Sequence, residues 1–443
     1  MAITRRQFVT RMGTLAAAAG MSQADFSQIT QAFAGNTNGV FGGGGAKPKI
    51  IWIHGAECTG CSTSLLGILE DGGSDASGYG QIYGTPYTTG AALGLMGVTN
   101  ALGGAFPTLG EPTRTDIYTS KQYKDTNYTT IMPANSEPVN IADVVIDIID
   151  LQYHETVMGM GGDLATQWLA DFQTNGEDAS PFVLVVEGAV QKMSNTGAWG
   201  DSGTSIPWCS IGVANDGSKE QDMPTVVENL ATMAKCVKII AIGQCAAFGG
   251  YPGCKPQITA AVAMKDAGGF DPTESQTGAQ GVYDFLLAVP AAAAAAKVVN
   301  VPGCPTNPWW FVLTTCLVVI DLVKGTSLVT LDSQRRPELV YPIPVHSSYC
   351  PNYGFYNQGV YASAPGERGC LMKIGCKGLA ANSLCGIHGW NNQQPENKGS
   401  LSPEFNPAAN GNSRGGHCTR AGAPCMACTE QGYPDSFVPF VTR

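Results

Sequence analysis

The chain has 443 residues, of which 44% are apolar and 14% are charged. Such a composition can bury a sizeable core in one large or two moderate domains, and it excludes a fibrous protein. The formal net charge is −10 and only 25 Lys and Arg are spread over the whole chain, which argues against a nucleic-acid partner because phosphate binding needs a basic surface.

The N-terminus carries an export pattern. The pair Arg5-Arg6 precedes a modestly apolar run, and Ala32-Phe33-Ala34 forms a small-x-small cleavage site. We interpret residues 1–34 as a twin-arginine signal peptide, with a mature chain that begins near Gly35; the alternative is a basic N-terminus on an ordinary helix. Because this route carries folded proteins, often with cofactors already inserted, we expect the cysteines to be ligands rather than disulfides.

Strand and helix signals alternate from residue 47 to about residue 300. The predicted strands are Lys49–Ile53, Phe182–Glu187 and Val237–Ile242. The predicted helices are Ser62–Glu70, Gly162–Phe172, Met223–Lys235 and Val282–Leu287. This alternation predicts an α/β fold with a parallel sheet and helices on both faces. Ligands of such folds bind outside the carboxyl ends of the strands.

Three other segments depart from this alternation. Gly72–Pro138 is rich in Gly, Thr and Tyr and lacks cysteine, so we interpret it as a surface insertion and a candidate partner contact. Pro302–Lys324 is strongly apolar but is interrupted by two prolines and Asp321, which favours a buried helix over a membrane span. From about Val345 onward Gly, Asn and Pro dominate, which predicts a loop-rich region.

Four cysteines form a first group at the ends of predicted strands. Cys58 and Cys61 follow the first strand, Cys245 follows the strand Val237–Ile242, and Cys304 lies in PGCPTNP. A lone CxxC would fit zinc or a redox pair, so by itself it is a weak signal. Four thiols on loops at one sheet edge, flanked by glycines that let backbone N–H groups approach inorganic sulfide, fit one 4Fe-4S cluster better.

A second group lies in the loop-rich region. It contains one histidine and seven cysteines: His346, Cys350, Cys370, Cys376, Cys385, Cys418, Cys425 and Cys428. Eight ligands are enough for two four-coordinate clusters. Disulfides or zinc are the alternatives, although an odd number of cysteines would leave one thiol unpaired.

Six stretches of the sequence carry a family resemblance. They are, in chain order, ECTGCSTSLL, DVVIDIIDLQYHETVMGMGG, FVLVVEGAV, IGQCAAFGG, VPGCPTNP and CLMKIGCKG. In this order they resemble the small subunit of nickel–iron hydrogenases over nearly the whole mature chain, apart from the Gly72–Pro138 insertion. The resemblance implies a flavodoxin-like domain over residues 47–300 with a proximal cluster. It also implies a loop-rich domain over residues 301–443 with a medial and a distal cluster.

The resemblance also implies a ligand set for each of three iron–sulfur clusters. The proximal 4Fe-4S set is Cys58, Cys61, Cys245 and Cys304, the distal 4Fe-4S set is His346, Cys350, Cys370 and Cys376, and the medial set includes Cys385, Cys425 and Cys428. In many relatives a proline stands seven residues before the last CxxC and the medial cluster is 3Fe-4S. Here Cys418 occupies that position, so we expect a medial 4Fe-4S cluster, or 3Fe-4S if Cys418 is not a ligand.

Some assignments stay open. Three residues stand between His346 and Cys350 where two are usual, and His388 and His417 are the other candidate ligands. Glu57, just before the first thiol, is interpreted either as a proton relay at a contact between subunits or as a solvated acid. The remaining cysteines are expected to be small buried hydrophobes: Cys209, Cys236, Cys254 and Cys316.

The resemblance implies an electron-transfer role. The partners would be a large subunit that carries the nickel–iron site, and an acceptor such as a cytochrome c or a membrane cytochrome b that docks near His346. We expect a periplasmic location, with any membrane association through a partner. The alternatives are a stand-alone exported iron–sulfur carrier, and a relative of the quinone-reducing complex subunit whose resemblance would be confined to the proximal region.

Overall fold

The computed structural model describes most of the chain after residue 48. The described residues are 49–66, 69–70, 139–140, 149–175, 181–191, 208–213, 220–254, 278–290, 292–324, 327–347, 350–385, 390, 417–419 and 421–441. The predicted signal peptide over 1–34 and the predicted insertion Gly72–Pro138 lie outside them. The division into domains at residue 300 therefore stays a prediction.

The strands are numbered in chain order. They are β1 Lys49–His54, β2 Leu69–Glu70, β3 Val139–Asn140, β4 Asp150–His154, β5 Phe182–Glu187, β6 Ser210–Val213, β7 Glu220–Asp222, β8 Cys236–Ile242 and β9 Val298–Val301. Five of them form one sheet in the order β4-β1-β5-β8-β9, and every neighbouring pair in it is parallel. Counted along the chain this is the order 2-1-3-4-5 of flavodoxin-like folds, so the predicted fold class is confirmed.

Helices cover both faces of this sheet, and one short helix lies in the region after Val345. They are α1 Gly60–Leu66, α2 Asp163–Asn175, α3 Met223–Thr232, α4 Gly243–Phe248, α5 Val282–Ala288, α6 Pro308–Lys324 and α7 Tyr353–Asn357. Every residue of β5 is buried, and its side chains alternate between two apolar clusters: Val183 and Val185 on the α6 face, and Leu184 on the face covered by α2, α3 and α5. In a strand covered on both faces, consecutive residues are apolar, which explains the apolar sequence FVLVVE of β5.

Three predicted helices end at other residues in the structure, and the one predicted to end at Phe172 continues to Asn175. The helix predicted over Ser62–Glu70 ends at Leu66, because Leu69–Glu70 pairs antiparallel with Val139–Asn140 as a short strand. The helix predicted to reach Lys235 ends at Thr232, where the backbone N–H of Met233 closes the last turn. The apolar stretch Pro302–Lys324 contains α6, which packs in the core as predicted, and no helix in the described residues is long and apolar enough to cross a membrane.

The region after Val345 has little regular structure in its described residues. It contains α7 and two short 3-10 turns, Leu371–Ile374 and Asp435–Phe437. Its buried apolar clusters are small: one of them consists of Ala362, Leu371 and Ile374, with Cys376 packed against it. The predicted loop-rich region is therefore confirmed, and most of its cysteines lie outside helices and strands.

Candidate metal centres

The four thiols of the first group meet at the carboxyl edge of the sheet. Cys58 follows β1, Cys61 lies in the first turn of α1, Cys245 lies in α4 directly after β8, and Cys304 follows β9. Burial raises the pKa of Cys245 to about 12, and the neighbouring Cys304 and Cys58 thiolates add to the shift. Cys61 likewise has a raised pKa, from burial first and with a contribution from Cys245. The structure thus brings together all four predicted residues.

Glycines make room for these sulfurs. A Cβ on Gly243 would lie 2.6 Å from the Sγ of Cys61, and a Cβ on Gly250 would lie 2.8 Å from the Sγ of Cys245. Both glycines also have positive φ, +86° and +52°, which favours glycine for a second reason. The backbone N–H of Thr306 donates to the Sγ of Cys61 at 3.5 Å. Open space and backbone donors around a thiol are features that suit an iron–sulfur cluster.

The thiols are not arranged for a single metal ion. Within the described ranges, no group of three or more His, Cys, Asp or Glu side chains could hold one ion. In a cluster each thiolate binds a different iron atom, so the sulfurs stand farther apart than the ligands of one ion. None of the 14 cysteines with described side chains forms a disulfide. The donor set therefore fits a cluster better than zinc or disulfides.

Glu187, which sequence patterns do not single out, anchors the start of α1. Its carboxylate accepts from the backbone N–H groups of Cys61 at 3.0 Å and Ser62 at 3.1 Å, from the Ser62 hydroxyl, and from Trp52 Nε1 at 3.2 Å. Burial raises the pKa of Glu187 despite these hydrogen bonds. The one sequence signal is an acidic residue at the end of the apolar strand FVLVVE. Its contacts hold the backbone of Cys61 in place.

Glu57 belongs to a half-buried group of charges beside the same loop. Its carboxylate contacts His54 Nδ1 at 3.1 Å and accepts from the Thr59 hydroxyl at 3.2 Å. Burial alone would lower the pKa of His54, but the hydrogen bond to Glu57 and the charges of Glu155 and Glu187 raise it. Burial raises the pKa of Glu155 to about 7. Glu57 is therefore not a freely solvated acid.

The resemblance divides the second group into two sets, and thiols of the two sets lie close enough to affect one another's pKa. In the first set, burial raises the pKa of Cys385 to about 12 and that of Cys428 well above its usual value. Cys418 contributes to the shifts of Cys385, Cys425 and Cys428, so it lies among them. Cys304 of the first group also contributes to the raised pKa of Cys428, and Gln244, beside Cys245, donates its Nε2 to the backbone carbonyl of Glu430, two residues after Cys428, at 2.9 Å. The set that contains Cys418 therefore adjoins the sheet edge.

The second set contains Cys350, Cys370 and Cys376. Burial raises the pKa of Cys350, and Cys376 and Cys370 contribute to the shift. The backbone N–H of Cys425 donates to the Sγ of Cys376 at 3.3 Å, so this set adjoins the one that contains Cys418. Each of the three groups of thiols thus adjoins the next.

His346 lies beside the outermost set. Its backbone N–H donates to the carbonyl of Gly378 at 2.8 Å, and a Cβ on Gly378 would lie 3.5 Å from both the Cys376 sulfur and the His346 Cβ. The ring packs on Tyr356 at 4.4 Å between centroids. Burial lowers the pKa of His346, and its buried Nε2 has no hydrogen-bond partner among the described residues. A neutral imidazole nitrogen of this kind fits a metal ligand.

The other candidates differ in their surroundings. His417 is buried and its Nε2 lies 2.8 Å from the Thr419 hydroxyl, while His388 lies outside the described residues. Cys236 is buried in β8, as expected for a small hydrophobe, whereas Cys209 and Cys254 are only half-buried. The side chain of Cys316 is not among those described.

Two family models match consecutive parts of the chain. The family "NADH ubiquinone oxidoreductase, 20 Kd subunit" matches residues 131–318, and the C-terminal family of NiFe/NiFeSe hydrogenase small subunits matches residues 341–401. The first match covers most of the sheet with Cys245 and Cys304. The second covers His346 and the cysteines from 350 to 385, so the likeness to hydrogenases is not confined to the proximal region.

Individual relatives extend over the same residues. The chain is 23% identical to the periplasmic [NiFeSe] hydrogenase small subunit of Desulfomicrobium baculatum, with 99% of each chain covered. It is 27% identical to the F420 non-reducing hydrogenase II small subunit of Methanosarcina mazei, with 89% of this chain and 75% of the relative covered. The solved structure of the reduced, active Ni-Fe-Se hydrogenase from Desulfomicrobium baculatum has the same fold: the TM-score is 0.55 at 23% identity, with 89% and 98% of the two chains covered.

These matches agree with both the fold and the positions of the cysteines. The fold is that of hydrogenase small subunits, and the relatives span both the sheet and the cysteine-rich loops. The C-terminal match falls on the segment that carries the outermost thiols. The chain is therefore similar to small subunits of nickel–iron hydrogenases over both the sheet and the cysteine-rich region.

Proposed function

We propose that the chain is the electron-transfer subunit of a nickel–iron hydrogenase. It relays electrons between the hydrogen-splitting site of a large subunit and an external acceptor through three iron–sulfur clusters. The observation that carries this proposal is the succession of three adjoining thiol groups: Gln244, beside Cys245, donates to the carbonyl of Glu430, two residues after Cys428, and the backbone N–H of Cys425 donates to the Sγ of Cys376. Electron transfer slows steeply with distance, so a relay needs sites in close succession.

The ligand sets that the resemblance implies agree with this succession. Cys58, Cys61, Cys245 and Cys304 hold a proximal 4Fe-4S cluster, and His346, Cys350, Cys370 and Cys376 hold a distal 4Fe-4S cluster. The clusters, when bound, supply one-electron redox chemistry. The backbone donors from Thr306 and Cys425 would tune that chemistry by hydrogen bonding to ligand sulfurs.

The medial set has four thiols. Cys385, Cys425 and Cys428 are joined by Cys418, which lies close enough to all three to contribute to their pKa shifts. We assign Cys418 as the fourth ligand, and the medial cluster as 4Fe-4S. A 3Fe-4S cluster would occupy the site if Cys418 did not bind.

The partners and location follow from the relatives. Their names describe small subunits of hydrogenases, several of them periplasmic, so a large subunit with the nickel–iron site is the expected partner of this chain. The signal at residues 1–34 would export the folded complex to the periplasm. The acceptor, a cytochrome c or a membrane cytochrome b, would dock near His346, since the distal set is farthest from the sheet edge along the series.

The test is to purify the native complex without oxygen and expose it to hydrogen. The expected result is bleaching of the broad iron–sulfur absorbance under hydrogen and none under argon. Iron and inorganic sulfide are measured on the same sample, and they should correspond to three clusters. A fully loaded complex that never bleaches, even after reductive activation, would contradict the hydrogenase function and favour a stand-alone iron–sulfur carrier.

A further inference from the structure

A buried arginine joins the proximal and medial regions. Arg336 is 2% exposed and donates to Asp332 Oδ2 at 2.8 Å and to Glu430 Oε1 at 2.7 Å. Its Nη1 also donates to the backbone carbonyl of Thr429 at 2.8 Å. Asp332, Arg336 and Glu430 are called the arginine clamp below. The clamp lies between segments that are far apart in sequence.

On one side the clamp is fixed to the sheet. The carboxylate of Asp332 also accepts from the backbone N–H of Arg336 at 2.9 Å, which closes a tight turn. Asn300 in β9 donates its backbone N–H to the carbonyl of Arg335 in that turn at 2.9 Å. The strand β9 leads directly to Cys304. The turn that carries Arg336 is therefore held against the strand that positions a proximal thiol.

On the other side the clamp is fixed to the medial set. Glu430 lies two residues after Cys428, and its Oε1 accepts from the backbone N–H of Asn382 at 2.6 Å. Its backbone carbonyl accepts from Gln244 Nε2 at 2.9 Å. Gln244 precedes Cys245, so Glu430 touches both the medial segment and the helix that carries a proximal thiol.

The chemistry of the clamp suits a role in fixing the positions of its residues better than a role in adding stability. Burying an ion pair costs desolvation, so well-packed apolar residues of similar volume often give equal or greater stability. A guanidinium differs from apolar side chains because its planar array of N–H donors fixes the direction of each carboxylate it binds. Here one guanidinium fixes two carboxylates that belong to the two regions.

We propose that the arginine clamp is a positioning element that fixes the separation of the proximal and medial sites and so sets the rate of electron transfer between them. This inference rests on the proposed function. Neither Arg336 nor Glu430 is a cluster ligand, so the clamp acts through the segments that carry Cys304 and Cys428. A weaker clamp would increase the distance that an electron crosses between the two sites without removing a ligand.

The test uses the Glu430→Gln variant of the intact, iron-loaded complex. The amide keeps the size of the side chain but has one acceptor oxygen for the donors from Arg336 and Gln334. Iron content and hydrogen/deuterium exchange at the nickel–iron site, which needs no electron to leave, should equal those of the wild type. The magnetic coupling between the reduced proximal and medial clusters should weaken, and hydrogen-driven dye reduction should fall several-fold. Glu338→Gln, on an exposed side chain near the same turn, is the matched control and should change neither quantity.

A second variant tests the proposal independently in case the Glu430→Gln variant does not fold. Arg336→Lys keeps a buried positive charge but loses the planar donor array, and the same changes are expected for it. Unchanged coupling and dye reduction in both iron-loaded variants would overturn the proposal. Loss of medial iron from both would also overturn it, because the clamp would then build the site rather than set its distance. A wild-type complex that does not reduce the dye with hydrogen would instead contradict the proposed function.

Discussion

The sheet and the cysteine-rich region after Val345 are held together in different ways. The sheet has two extended apolar clusters, and β5 is buried along its whole length. The cysteine-rich region has short helical turns and small apolar clusters, one of which consists of Val345, Ala381, Cys425 and Ala427. One region can fold by burying apolar surface, whereas the other has little such surface to bury.

This contrast assigns a structural task to the metal. Where ligands lie on loops without a core of their own, the free energy of metal binding becomes free energy of folding. Under the proposed function, the sheet edge would be preformed and iron binding would complete the fold of the cysteine-rich region. The four predictions that follow test this division, from the largest expected effect to the smallest.

Removal of iron should separate the two regions most clearly. Treatment of the complex with a chelator under oxidising conditions should abolish the hydrogen-exchange protection of residues 350–385 and 421–441. The amides of β5 should stay protected, since their burial does not depend on metal. Hydrogen exchange read by mass spectrometry checks both regions in one sample. Equal loss of protection in both would show that the sheet, too, depends on iron.

Cavities should cost more in the sheet than in the cysteine-rich region. Leu184→Ala in the fully buried strand β5 should lower the free energy of opening of the sheet by about 2–5 kcal/mol. Leu371→Ala, in a small apolar cluster, should lower the free energy of opening of the cysteine-rich region by less in the iron-loaded complex, because bound metal stabilises the residues around it. Leu287→Ala, at a side chain 50% exposed, is the control, with a change within about 0.5 kcal/mol. Native-state hydrogen exchange gives all three values, and a similar cost for Leu184→Ala and Leu371→Ala would refute the contrast.

A single thiol should change the type of cluster without unfolding the cysteine-rich region. Cys418→Ala should convert the medial site to 3Fe-4S, which is paramagnetic in the oxidised complex, whereas oxidised 4Fe-4S is silent. Electron paramagnetic resonance of the oxidised complex measures the change. Cys254→Ala, at a half-buried thiol outside the three sets, should leave the spectrum unaltered. A 3Fe-4S signal already present in the wild type would show that Cys418 does not bind.

The smallest effect concerns a charge buried beside the sheet edge. Burial raises the pKa of Glu155 from 4.5 to about 7, so the folded state holds this proton more tightly than the unfolded chain. The stability that this group contributes is full below pH 4.5 and is lost as the pH rises toward about 7. Glu155→Gln mimics the protonated acid, so its stability advantage over the wild type should grow across this range. Melting temperatures against pH check this, with Glu338→Gln as the exposed control; parallel curves for wild type and Glu155→Gln would contradict it.

Much of the sheet is predictable from sequence because its central strands are apolar runs. The predicted limits of β1, β5 and β8 agree with the structure to within one residue. Two sheet strands are not evident. DLQYH in β4 mixes polar and apolar residues, and VVNV in β9 follows a run of alanines that favours a helix.

The candidate sites are predictable only in part. Cysteine spacing and strand ends place Cys58 and Cys245 at one edge, since parallel strands end together. The contacts of Glu187 and Arg336 join residues far apart in sequence, and no local pattern encodes such contacts. The sequence thus indicates which thiols group together, but it does not indicate which other side chains hold the groups in place.

The hydrogen bond from Gln244 Nε2 to the backbone carbonyl of Glu430, which joins the sheet edge to the segment that follows Cys428, bears on the order of assembly in the cell. The ribosome releases all four thiols of the sheet edge well before Cys428 emerges. The medial thiols come together only once the end of the chain has folded back onto that edge. Iron delivery during maturation should then follow the direction of synthesis, and a chain truncated before residue 428 would expose an unfinished sheet edge as a signal for degradation.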